Sequence, residues 1–458
     1  MSWGKIYDTT WWGNTGESNG WGNIYPVSGG TSTLLDGLVS RYNFNESSGD
    51  LLDQTGSNDG TVVGATQTGT EYSFDGVNDY VTLTGYKGIT GTAARSFSFW
   101  FKPDTNDVSE YIIAYGSDNG ADHGKSFIIL KRSTNLMLFT AYGSSLVEGS
   151  TTINSGYWYH CVITMEDGDN SDDLKIYVNG SRETETTTGS VAINTLSEID
   201  FTLGKNIQSG QPSSFLDGSM DNLRIYNRAI SAAEVTAIYT LEISDILTKE
   251  LVAGYEMNND WTDVLGVNNG TANGATFDAS SKLGSHAGSF DGTNDYVSLD
   301  GLLSDPNELS VACWVNRTGA GGTRIIFSHR NGVNNLIQFT FSSTTDIRLQ
   351  LRSSGTSLKT YFATVASMSN TWNHVAFTFD RTNDSYKVYL NGSEVASGSD
   401  VFTGDFTATK TTIGGTFSPG FSAGFAGLAD NLHIWNRALT SDEISHLYNS
   451  GSGIEHPF

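Results

Sequence analysis

The sequence predicts an all-β protein of two tandem antiparallel β-sandwiches, each closed by a short C-terminal helix. Three features predict it: a long passage that occurs twice, short alternating strands between turn-rich stretches, and a capped apolar run ending each copy. Phe74-Asp75-Gly76-Val77-Asn78-Asp79-Tyr80-Val81 returns as Phe290-Asp291-Gly292-Thr293-Asn294-Asp295-Tyr296-Val297. Its surroundings return in the same order. Leu38–Tyr42 matches Leu251–Tyr255, Trp158-Tyr159-His160 matches Trp372-Asn373-His374, and Asp221–Ala229 matches Asp430–Ala438. A unit of about two hundred residues repeated once is a duplicated domain, large enough to bury its own core.

Taken in chain order, residues 1–34 come before the first copy and hold Trp3, Trp11, Trp12 and Trp21. Four indoles are costly to leave in water, and so short a stretch cannot bury them in a core of its own. It reads as a docking segment that inserts into a partner or into an oligomer of this chain. Residues 35–241 form the first sandwich, 242–250 a linker, 251–450 the second sandwich and 451–458 a trailing tail. Ser96–Phe101 and Leu309–Val315 alternate at the two-residue period of a strand. Asn179-Gly180 and Asn391-Gly392 mark hairpins, because both residue types accept positive φ. Ser231-Ala232-Ala233-Glu234 and Thr440-Ser441-Asp442-Glu443 read as capping boxes. The stripes that follow, Val235, Ile238 and Tyr239 in one copy and Ile444, Leu447 and Tyr448 in the other, would dock each helix.

Fifty acidic residues face 25 basic ones, a net charge of −25, which argues against nucleic acid as a partner. The acidity reads as a solubility device. Cys161 and Cys313 fall at different places in the two copies, so each reads as a small buried apolar group rather than half of a disulfide. No stretch is long and apolar enough for membrane insertion. Met1–Lys5 lacks the apolar run of a secretory signal, so synthesis in a reducing cytoplasm is expected.

The ordered landmarks, found twice between about residues 38 and 449, resemble the concanavalin A-like, laminin-G/pentraxin-type jelly roll of bacterial and phage proteins. The resemblance implies two face-packed antiparallel sheets with a concave face. The opening pattern, Trp3-Gly4-Lys5-Ile6-Tyr7, then Trp11-Trp12-Gly13, then Trp21-Gly22-Asn23-Ile24-Tyr25, is similar to the N-termini of tailed-phage virion proteins. That likeness implies a protein made in the host cytoplasm and exposed on the particle, which reconciles an extracellular fold with the absence of an export signal.

The same resemblance implies a structural Ca²⁺ near the closing motif. Asp221 and Asp430 are the candidate ligands, assisted by Asn45 or Asp53 in the first copy and Asn258 or Asp263 in the second. Asp75 with Asp79, and Asp291 with Asp295, read first as turn chemistry. His160 and His374, each alone at its place, are poor zinc ligands and read as structural. Catalysis is not expected. A retaining glycosidase of this fold needs paired carboxylates, and the nearest approach, Glu198-Ile199-Asp200-Phe201-Thr202-Leu203, has Leu203 where the second Glu belongs. Trp100, Trp158, Trp314 and Trp372 recur and read as core. Tyr111, Tyr115, Tyr142 and Phe421 differ between the copies and are the groove candidates for stacking on sugar rings. The sequence thus points to a non-enzymatic phage surface protein: a head fibre, decoration or tail adhesin, anchored to other virion proteins through its N-terminus. Two lectin-like domains would bind cell-surface or environmental glycans weakly, made useful by a homo-oligomer's avidity. The rivals are a purely structural capsid or tail component, and a bacterial surface protein that binds or degrades glycans.

Overall fold

The computed structural model describes residues 34–141, 145–207, 214–299, 301–318, 323–332, 335–354, 356–408, 410–415 and 424–458. Trp3, Trp11, Trp12, Trp21, Tyr142 and Phe421 lie outside the described residues. Each copy is a pair of antiparallel sheets. In the first, one sheet runs Ser181–Arg182, Lys175–Val178, Tyr159–Met165, Arg95–Pro103, Asp217–Tyr226, Tyr72–Asp75, Thr66–Gln67, with Leu38–Tyr42 also paired to Asp217–Tyr226. The other runs Thr186–Thr188, Leu146–Glu148, Met137–Thr140, Ser126–Lys131, Glu110–Gly116, Ile199–Leu203, Tyr80–Leu83, Thr61–Val63. The second copy repeats both, with Glu308–Arg317, Trp372–Asp380 and Ala426–Trp435 central in one sheet and Arg324–Asn331, Asn335–Ser343 and Asp346–Arg352 in the other.

Between the sheets of the first copy sit Phe97, Phe99, Ile113, Phe127, Phe139, Cys161 and Phe201; Phe327, Phe339, Phe377 and Cys313 do the same in the second. Both cysteines are free and buried. Asn179-Gly180 and Asn391-Gly392 take positive φ at both residues, 48° with 75° and 50° with 76°, as a tight hairpin requires.

Helix α1 (Ala232–Thr248) and helix α2 (Ser441–Tyr448) cover the outer face of the first-described sheet in each copy. Both capping boxes form: Ser231 with Glu234, and Thr440 with Glu443. Trp100 and Trp158 are buried beneath α1 with Ile243 and Ile246, outside the sandwich core that their recurrence suggested, and Trp372 is only half-buried. His160 and His374 lie on the same helix-covered side, and burial holds each imidazole down to about 3.

The stretch 242–250, expected as a linker, continues α1 for most of its length. Ile243 and Ile246 pack on the first sandwich and Leu247 on the second. Trp435 Nε1 donates to Leu247 O at 2.8 Å, and Arg437 donates to Ile246 O and Lys249 O at 3.0 and 3.2 Å. The helix end, whose last carbonyls lack partners within the helix, is therefore capped by the second sandwich. Further contacts join the copies: Tyr157 donates to Asp380 at 2.7 Å, Asn383 to Ser155 O at 2.9 Å and Asn179 to Asp442 at 2.9 Å. The tail does not trail. Ile454 O accepts from Asn431, and the Phe458 ring lies 4.9 Å from that of His433.

Candidate functional site

Alternate side chains of a strand face opposite sides of its sheet, so the core residues identify the outward ones. In the second sandwich Phe327, Ile337, Phe339, Leu349, Leu351 and Ile413 fill the core. The residues between them line the face away from α2. Strand register sets Thr271, Ser298, Thr412, Ser328, Gln338, Gln350 and Thr360 side by side in one row across the sheet. Every member carries a hydroxyl or an amide, able both to donate and to accept. Gln338 Nε2 donates to Ser328 Oγ at 3.1 Å. Thr412, Ser328 and Gln338 are buried, whereas Ser298, Gln350 and Thr360 are half-buried and Thr271 is exposed.

Two further rows flank this one. On one side run Lys410, Arg330, Leu336 and Arg352; on the other Thr340, Arg348 and Phe362. Arg348 grips Asp346 through two nitrogens, Nη2 to Oδ2 at 3.0 Å, and its guanidinium lies 5.5 Å from the centre of the Phe362 ring. Burial pushes the Asp346 carboxyl up, but hydrogen bonds from Arg348 and Ser342 outweigh it and hold the group below its usual range. Phe362 is 56 % exposed and offers an apolar ring at the edge of a hydrogen-bonding surface.

The first sandwich carries the equivalent strands, with a bulge at the equivalent place: between Tyr111 and Ile113 there, between Ile325 and Phe327 here. Register then matches Ala114 to Ser328, Ile128 to Gln338, Leu130 to Thr340, Leu138 to Arg348, Thr140 to Gln350 and Leu146 to Thr360. Ala114, Ile128, Leu130 and Leu138 are buried together, with Tyr111, Leu146 and Ile207 partly buried against them. One face is apolar and its counterpart polar.

The groove candidates read from the sequence fare differently. Tyr115 is 0 % exposed and packs among Phe97, Phe127 and Phe201 with its hydroxyl beside Arg95, so it belongs to the core and presents no surface to a sugar. Tyr111 is half-buried against the apolar cluster. The residues of the polar row were not singled out. Their trace was present in the alternation Leu336-Ile337-Gln338-Phe339-Thr340-Phe341, set against the unbroken apolar run Phe127-Ile128-Ile129-Leu130 of the other copy.

The proposed calcium ligands are engaged locally. Asp221 is buried, accepts from Asn222 N at 2.8 Å and lies 2.8 Å from Lys249 Nζ; burial raises its carboxyl to about 8 despite that lysine. Asp430 accepts from Lys282 N and Leu283 N at 2.7 and 2.9 Å, and burial raises it to about 7. Asp53 takes the amides of Arg41, Thr55 and Asn58, and Asp263 those of Gly254, Leu265 and Asn268. Asn258 accepts from Ser285 N at 2.6 Å, and Asn45 is exposed. Calcium takes six to eight oxygens. The cationic place at Asp221 is held by Lys249, and no group of three or more His, Cys, Asp or Glu residues is arranged for a metal among the described residues. These residues do not fit a calcium ion. Asp75 and Asp79 do form turn contacts, Asp79 accepting from Asp75 N at 3.0 Å and Asp75 from Val77 N at 2.8 Å; Asp291 and Asp295 repeat them. Asp200 pairs with Lys87 at 2.8 Å.

A cleft of about 470 Å³ separates the sandwiches, lined by residues that include Lys102, Asp104, Glu250, Asp305 and Glu308. Glu308 is pushed up to about 7, by burial first and then by Asp380. No aromatic ring lines this cleft among the described residues, so it offers a sugar nothing to stack on.

Two copies of a two-sheet antiparallel sandwich, each sealed on one side by a capped helix, define a tandem lectin-like jelly-roll protein. Residues 75–236 and 291–445 match the family described as the concanavalin A-like lectin/glucanases superfamily (Laminin_G_3), and the chain belongs to it. Similar solved structures include domain 4 of AbnA, an extracellular arabinanase from Geobacillus stearothermophilus, in complex with arabinotriose (26 % identity, TM-score 0.36, 43 % of this chain and 97 % of that one). Others are the Ruminococcus gnavus IT-sialidase CBM40 bound to α2,3-sialyllactose (19 %, 0.29, 33 % and 84 %) and mouse laminin α1 domains LG4-5 (11 %, 0.27, 80 % and 89 %). No curated protein matches the chain.

Proposed function

We propose that the protein is a non-catalytic glycan-binding protein displayed on a phage particle, and that the polar face of the second sandwich does the binding. The observation that carries the reading is the row from Thr271 to Thr360, seven hydrogen-bonding side chains in register of which Thr271, Ser298, Gln350 and Thr360 reach the surface, beside an exposed aromatic ring. Saccharides present hydroxyls that donate and accept, and apolar ring faces that stack; such a surface meets both. Membership of a lectin-containing family supports it. The virion setting rests on the Trp-rich opening, with Trp3, Trp11, Trp12 and Trp21 as the docking residues toward other virion proteins or a homo-oligomer.

The test is binding of the whole protein to an array of surface polysaccharides, beside a Gln338→Ile/Gln350→Leu variant. Losing two sets of hydrogen bonds should weaken binding on the order of ten- to a hundredfold, with an unchanged circular dichroism spectrum. Equal binding by the variant, or no glycan bound by the wild type, would sink the reading.

A further inference from the structure

The second face differs from the rest of the molecule in sign as well as polarity. The chain carries a net charge of −25, yet the row beside the hydroxyl–amide line holds Lys410, Arg330 and Arg352 on adjoining or next-adjoining strands. All three lie two residues along their strands from a member of that line: Lys410 from Thr412, Arg330 from Ser328, Arg352 from Gln350. They therefore share its face. Arg330 is half-buried, and burial lowers its affinity for its proton from the usual arginine value. Its Nε donates to Gly332 O at 2.7 Å, which fixes the guanidinium plane while its Nη groups make no hydrogen bond among the described residues. In the first sandwich Ile199, Gly116 and Ser126 stand in the places of Lys410, Arg330 and Leu336, without a charge, and the place of Arg352 falls at Tyr142, outside the described residues.

We infer that the second sandwich selects saccharides that carry a carboxylate or a sulfate. In this arrangement Arg330, with Lys410 and Arg352 beside it, takes the anionic substituent, and the half-buried Gln350 and Thr360 take the ring hydroxyls one row away. Adjacent rows on one face of a strand are two residues apart, about 7 Å, roughly the span from a ring substituent to the hydroxyls across a hexose. Arginine suits the role because its planar fork matches a carboxylate or sulfate through two parallel hydrogen bonds. The long-range field of an acidic protein repels an anionic polymer, so retention of such a ligand requires a local cationic site.

This inference rests on the glycan reading above, and the experiment separates the two. Whole protein is titrated with three oligosaccharides of one backbone: a uronic acid form, its carboxyl-reduced neutral form, and a sulfated form. The expected result is affinity for one or both anionic forms greater than for the neutral form by about ten- to a hundredfold, the worth of a charge-assisted hydrogen bond. Which anionic form binds distinguishes carboxylate from sulfate. Arg330→Gln should remove that preference, and Arg330→Lys should restore part of it. If neutral and anionic forms bind alike in the wild type, with binding still sensitive to Gln338, the inference fails and the glycan reading stands. If none of the three binds and the array is also blank, both fail.

Discussion

The two sandwiches share strands, bulges and capped helices, and both bury charge on the helix side, yet the face away from the helix is apolar in the first and polar in the second. In the first, charge lies under the helix: Glu242 on α1 accepts from Arg224 Nε at 2.6 Å and from Trp100 Nε1 at 3.0 Å, while the far face is apolar. In the second, the place of Arg224 is taken by His433, a buried imidazole held down to about 3, first by burial, and the far face carries the hydroxyl–amide row and its cations. A duplicated scaffold tolerates either arrangement because each face needs only to be internally consistent: apolar groups buried together, or polar groups satisfied together. The difference shows which parts of a sandwich are free to diverge, namely the two outer faces, while the core between the sheets stays largely apolar in both copies.

That contrast can be broken most severely at Glu242. Glu242→Ala leaves the Arg224 guanidinium buried without its carboxylate, and should destabilise the protein by about 3–5 kcal/mol. Chemical denaturation checks it, and Glu242→Ala/Arg224→Met should recover much of the loss. A smaller effect is expected from importing the second face into the first. Ile128→Gln sets an amide among Ala114, Leu130 and Leu138, at a cost of about 1–3 kcal/mol in a denaturant titration. Its reciprocal, Gln338→Ile, removes the hydrogen bond to buried Ser328 and should cost about 1–2 kcal/mol in the same titration.

A third effect, comparable in size and spread over several pH units, concerns pH. The folded-state affinity of His433 for a proton is depressed, so below about pH 6.5 the unfolded chain binds a proton that the folded chain does not. The stability from this site is fully present above pH 6.5 and is lost as pH falls toward 3. His433→Phe should therefore flatten the acid limb of the stability curve by up to about 1.4 kcal/mol per pH unit between pH 6 and 4 relative to wild type. Comparing variant with wild type cancels the opposing contribution of Asp430 and Glu308, whose raised carboxyls gain stability in that range. An unchanged slope would mean that the ring is solvated in the folded state.

The sandwich pairs, hairpins and capping boxes were legible because each is a local pattern written twice. The joint was less so. The run Leu241-Glu242-Ile243-Ser244-Asp245-Ile246-Leu247 has helical spacing, but its counterpart after Tyr448 turns at Asn449 with φ 46° and becomes the tail, so reading the copies in parallel cut α1 too early. The repeated Asp-Asn pair has a backbone role that the sequence did not show: Asn222 and Asn431 take positive φ, 48° and 52°, where the strand register shifts, and Asp221 accepts from Asn222 N at that bulge. Variation between copies pointed at Tyr115 because difference alone does not say which side of the sheet a residue faces. Parity along the strand does, and the same parity identifies Ser328, Gln338 and Gln350.

The capping of α1 by the second sandwich has a consequence for the order in which the molecule is made. The carbonyls of Ile246, Leu247 and Lys249 accept from Trp435 and Arg437, which leave the ribosome nearly two hundred residues later. The first sandwich emerges with its helix complete on one side and frayed at the end, and that end closes when the last strand of the second sandwich is laid down. The joint therefore matures late in the nascent chain, once the last strand of the second sandwich is in place.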